Sequence, residues 1–71
     1  MTMQQFQAVQ QVIRDHYRLN RLPSGEETGA ELANLYRCKL AMTLDSKQEL
    51  LSARIAKFID LDHEYHPCNK S

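Results

Sequence analysis

Apolar side chains open the chain at Phe6, Val9, Ile13 and Tyr17. These intervals of three and four keep to one face of a helix. Val12 widens the stripe, and Gln4, Gln5, Gln7, Gln10 and Gln11 fill most of the other positions with good helix formers. Thr2 followed three residues later by Gln5 has the form of a capping box. Arg14 and Arg18 suit the negative end of the helix dipole. The pattern predicts a first helix from about Met3 to Leu19. Residues 20–26 then connect, because Pro23 restricts Leu22 to extended backbone.

Two overlapping capping boxes follow, Ser24 with Glu27 and Thr28 with Glu31, and either can open the second helix. Its inward set is expected at positions 29, 33, 36, 40 and 44. Small residues come early in that set and allow another helix to approach closely, while Leu32 and Leu35 broaden the stripe. Thr43-Leu44-Asp45-Ser46 interrupts the pattern without a glycine, and Ser46 with Glu49 caps a third helix running to about Asp62. Residues 28–62 read as two helices or as one helix bent near Leu44, and the break is favoured. Two glycines and two prolines, three of the four between positions 23 and 29, are too few for a turn-rich fold. The expected class is all-α, a small three-helix bundle or a helical hairpin with a bent second arm. It forms one domain over 1–71 with a frayed tail from about 63.

Length adds a constraint. A chain of 71 residues buries only about 60% of its unfolded surface, enough for one thin core. The stripes of segments two and three exceed what such a core needs, with Leu35, Leu50 and Leu61 as surplus. Small helical proteins absorb such a surplus by pairing with a second copy or a partner.

Charge changes the picture by its arrangement. Nine basic and nine acidic residues cancel, which argues against a binder of polyanions that works by bulk charge. Locally the balance is uneven: +2 over 1–24 (Arg14, Arg18 and Arg21 less Asp15), −3 over 25–36 (Glu26, Glu27, Glu31), +3 over 37–57 and −2 over 58–71. Alternating blocks of this kind steer an oppositely patterned protein better than they steer DNA. No apolar run approaches the ~20 residues of a membrane helix. The opening MTMQQFQAVQQ lacks the layout of a secretory signal. Cys38 and Cys68 are too few for a disulfide framework, so a reducing cytoplasm is expected.

The sharpest motif is helix-turn-helix-like. Thr28-Gly29-Ala30-Glu31-Leu32-Ala33-Asn34-Leu35-Tyr36 has the form of the first helix of such a unit. With Leu22-Pro23-Ser24 ahead of Leu32-Ala33, this short stretch resembles winged-helix regulators of the GntR type. The resemblance implies DNA contact from a recognition helix starting near Lys39. The sequence departs from that pattern at Arg37, where the turn takes glycine, and at Thr43, where the pattern has a buried aliphatic. Asp45 and Glu49 would also face phosphates.

Other chemistry is weaker. His63, His66 and Cys68, interleaved with Asp62 and Glu64, are metal-ligand types, but a structural zinc site needs four convergent ligands. Cys38 or His16 would have to complete the set, and no metal or other cofactor is expected. Asp15 and His16 are adjacent and so point about 100° apart on a helix. Cys38 beside Arg37 and Lys39 has no base placed by spacing. Catalysis is therefore not expected. The expected role is a non-enzymatic cytoplasmic regulator or adaptor that binds a protein partner, its own copy included, through an amphipathic helical face. The contact residues expected at the exposed edge of that face are Tyr17, Arg18, Arg21, Leu35 and Tyr36. The alternative is a helix-turn-helix-like DNA-binding regulator using segments two and three, with Arg37, Lys39 and Lys47 as contacts.

Overall fold

A computed structural model describes residues 1–61, which hold three helices: α1 (Met3–Tyr17), α2 (Gly25–Leu40) and α3 (Ser46–Ile55). The frayed tail and the His63, His66 and Cys68 cluster lie outside the described residues. Among those described, no helix is long and apolar enough to cross a membrane.

Each helix starts at a reciprocal capping box, which satisfies backbone donors that a helix start leaves unpaired. Thr2 and Gln5 begin α1, and Ser24 and Glu27 begin α2. In α3 the box is one residue earlier than expected: Asp45 Oδ1 accepts from the Gln48 N–H at 2.8 Å, and Gln48 Oε1 accepts from the Asp45 N–H at 3.0 Å. Ser46-x-x-Glu49 and Asp45-x-x-Gln48 are overlapping frames of equal sequence merit.

The ends of α1 and α2 use a device that sequence punctuation does not mark. Arg18 (φ 56°) and Met42 (φ 58°) adopt the left-handed conformation that usually belongs to glycine. The Leu19 N–H then reaches back to the Arg14 carbonyl at 3.0 Å, and the Thr43 N–H to the Cys38 carbonyl at 2.9 Å. Both are the six-to-one closures of a Schellman-type ending. The break between α2 and α3 is therefore real and contains no glycine.

α1 packs on both other helices. Val9 and Ile13 of α1, Leu32 and Leu35 of α2, and Leu51 and Ile55 of α3 form the buried core, completed by Ile59 and Leu61 and flanked by Val12 and Leu44. The inward face of α2 is Thr28, Leu32, Leu35 and Tyr36; of the expected 29, 33, 36, 40 and 44, Tyr36 is buried and Leu44 packs against the core, whereas positions 29, 33 and 40 are not buried. Ala33 and Leu40 are exposed, and a methyl group built on Gly29 meets nothing within 4 Å. Thr28, read in the sequence as a cap candidate, instead lies buried inside α2 and sets this phase. Its hydroxyl donates to the Ser24 carbonyl at 2.8 Å, so burial leaves no polar atom unmatched.

α3 is shorter than expected. After Ile55 the chain tightens through bonds from the Lys57 N–H to the Arg54 carbonyl and from the Phe58 N–H to the Ile55 carbonyl. That turn brings Ile59 and Leu61 inward. Gln5 clamps it by donating from Nε2 to the Phe58 carbonyl at 3.1 Å. Gln10 likewise fixes the α1–α2 connection by donating to the Pro23 carbonyl at 3.0 Å.

Candidate functional site

The residues expected at a contact edge divide into three groups. Leu35 and Tyr36 are buried against the other helices, at 0% and 4% exposure, which corrects their placement on an exposed edge. They fall on the true inward face of α2 once its phase is set by Thr28 and Leu32. Of the three leucines read as surplus, Leu35 and Leu61 are absorbed by the core and only Leu50 stays outside. Arg21 is exposed but engaged. Its guanidinium donates to both carboxylate oxygens of Glu27 at 3.2 and 3.3 Å and to the Leu22 carbonyl at 3.0 Å. That guanidinium, with the Ser24 backbone N–H, holds the Glu27 carboxyl below the usual carboxylate range. Arg21 thus secures the start of α2.

Tyr17 and Arg18 remain, and the fold sets them beside side chains that the expected site did not include. The last turn of α1 and one stripe of α3 enclose a groove of about 570 Å³, lined by Asp15, His16, Tyr17, Arg18, Lys47, Leu50 and Arg54. Lys47, Leu50 and Arg54 recur at three and four residues on α3, beside the buried Leu51 and Ile55. The left-handed ending at Arg18 stops α1 at this lip.

Tyr17 is 42% exposed and Leu50 55% exposed, so the groove carries apolar surface that the core leaves uncovered. The Tyr17 hydroxyl donates to Glu31 Oε2 at 2.7 Å, which pins the ring to α2. Partial burial, then that bond and the Glu31 and Asp45 charges, push the phenol pKa up to about 12. The ring also meets His16 edge-on, with centroids 4.9 Å apart.

Arg18, Lys47 and Arg54 have no carboxylate within ion-pair distance among the described residues, whereas the one acid of the groove, Asp15, pairs with Arg14 at 3.3 Å. His16 reports the resulting field. Desolvation first, then the Arg54 and Lys47 charges, lower its pKa against the opposing pull of Glu31. Its Nε2 is enclosed and has no hydrogen-bond partner among the described residues. A neutral imidazole in a cationic, partly apolar groove results.

Asp15 is committed to Arg14 and does not orient His16 as a base. Cys38 is half-buried and its thiol faces Asn34 Oδ1 at 4.0 Å. Among the described residues no three His, Cys, Asp or Glu side chains gather as metal ligands. The helix-turn-helix expectation is corrected in its geometry. α2 runs unbroken through Arg37 to Leu40, Lys39 lies inside it, and the exposed Thr43 closes its end. Arg37 donates to Asn34 at 2.7 Å, and of the expected DNA contacts only Lys47 lines the α1–α3 groove.

Lys47 and Leu50 were visible in the sequence as single residues, but their partnership with Arg54 and Tyr17 was not. The signal available was the 47, 50, 54 spacing lying off the 51, 55 core pair. Comparison with protein-family models, curated proteins and solved structures finds no match to the chain.

Proposed function

We propose that this protein is a small, non-enzymatic, cytoplasmic regulator or adaptor that docks a partner protein in the groove between the end of α1 and the exposed stripe of α3. One observation carries the reading: Leu50, more than half exposed, lies in one groove with Tyr17 and three cations that have no carboxylate partner among the described residues. On α3 the neighbouring aliphatic residues Leu51 and Ile55 are taken up by the core. A leucine and a tyrosine inside a charged rim have the makeup of an interface anchor. A helix laid in such a groove is a common recognition mode. The committed states of Asp15 and Cys38 support a binding role over a catalytic one. Two cysteines, too few to staple this fold, support a reducing compartment.

The test is site-specific photo-crosslinking in expressing cells, with the photoreactive residue at position 50 and, as control, at the exposed position 33 on α2. The expected result is a discrete protein adduct from position 50 and none from position 33. Equal labelling from both positions contradicts the reading. So does a gel shift of random duplex DNA that collapses between about 50 and 200 mM salt and is lost in Lys47→Ala.

A further inference from the structure

Resting on that docking reading, we propose that the occupant of the α1–α3 groove is an acidic amphipathic segment of a partner protein. An aliphatic or aromatic side chain packs on Leu50 and the Tyr17 ring, and flanking Asp or Glu carboxylates face Arg18, Lys47 and Arg54.

Charge complementarity selects this occupant. Three cations line one groove without a carboxylate partner among the described residues, and the only acid there is taken by Arg14. Like charges lining one groove repel, and an incoming carboxylate relieves that repulsion. The exposed leucine between Lys47 and Arg54 distinguishes a peptide from a phosphate backbone. Phosphates have nothing to place on Leu50, whereas an amphipathic segment buries it. The chain's net charge of zero also lacks the broad basic footprint of a nucleic-acid surface.

A second copy of the chain is the poorer occupant. Its strongest acidic block consists of Glu26, Glu27 and Glu31. Glu27 is bound by Arg21 and closes the α2 capping box, and Glu31 holds the Tyr17 hydroxyl. Self-docking through Glu27 or Glu31 would have to break these contacts.

The experiment selects a random peptide library of about 16 residues, roughly four helical turns, on the full chain at about 150 mM salt. Expected are binders with net negative charge around one or two aliphatic or aromatic residues. They should weaken about tenfold or more on Lys47→Glu/Arg54→Glu. Peptides with their acids changed to lysine should recover binding on that variant. Lys47→Gln/Arg54→Gln, gentler to the fold, should give an intermediate loss. Neutral or basic binders that are lost on Leu50→Asp overturn the acidic chemistry while leaving the docking reading intact. Binders insensitive to all three variants, or duplex DNA competing for the same residues more tightly, overturn both.

Discussion

Leu50 and Leu51 stand next to each other in the chain, yet Leu51 is fully buried and Leu50 is more than half exposed. The 100° step between helical neighbours puts one in the core and the other on the groove. Leu51→Ala should cost about 2–5 kcal/mol. That is comparable to the roughly 3–5 kcal/mol a core this small supplies, so the variant should be largely unfolded by circular dichroism at room temperature. Leu50→Ala should stay within about 0.5 kcal/mol of the parent, since surface changes rarely do more. Similar losses for the two would contradict the assignment. His16 gives a second residue-level test. Its folded pKa lies below the unfolded value of 6.5, so the unfolded chain binds more protons in that window. Its share of stability is then fully present above about pH 6.5 and is lost as pH falls through the folded pKa. His16→Asn should flatten that part of the stability–pH profile, read from melting temperatures between about pH 5 and 8. An unchanged profile would show that burial and the Arg54 and Lys47 charges do not together lower the His16 pKa.

At the scale of the element, helix ends decide what the sequence could and could not reveal. Capping boxes are local, with a hydroxyl or carboxylate and a Gln or Glu three residues on, so the start of α1 was legible from Thr2 and that of α2 was narrowed to two frames, of which Ser24 is the one used. The closures at Arg18 and Met42 were not. They are tertiary choices made by residues with no preference for left-handed backbone. The phase of α2 was hidden for a related reason: Thr28 looks polar until its hydroxyl finds the Ser24 carbonyl. Two substitutions follow from these ends and faces. Gly29 lies inside α2 with open space where a Cβ would be. Gly29→Ala should therefore stabilise by about 0.5–1 kcal/mol, a melting rise of roughly 2–8 °C. A loss would mean that the small residue serves a close approach after all. Met42 is 90% exposed at positive φ. Met42→Gly relieves a cost of about 1–2 kcal/mol and gives back about 0.4–1 through the unfolded chain. A net gain of about 0.5–1 kcal/mol is expected by chemical denaturation, against no gain for Met42→Ala.

Across the whole molecule, the acidic and basic blocks of the sequence sort into two roles. Two of the three acids at the start of α2 are engaged internally, Glu27 by Arg21 and Glu31 by Tyr17. The basic side chains of α3 and Arg18 instead converge with exposed apolar surface. The expected contact residues Tyr17 and Arg18 lie there, while Leu35 and Tyr36 belong to the core. The error came from reading an apolar stripe as surplus before its phase was fixed. The central claim is that the α1–α3 groove is the docking face. It is tested most directly by amide chemical-shift mapping of the full chain against the tightest acidic peptide from the selection. The account predicts shifts concentrated at residues 15–18 and 46–54, with the amides of Ala33 and Met42 unmoved. Shifts centred on the exposed face of α2, or on the turn around Phe58, would contradict it.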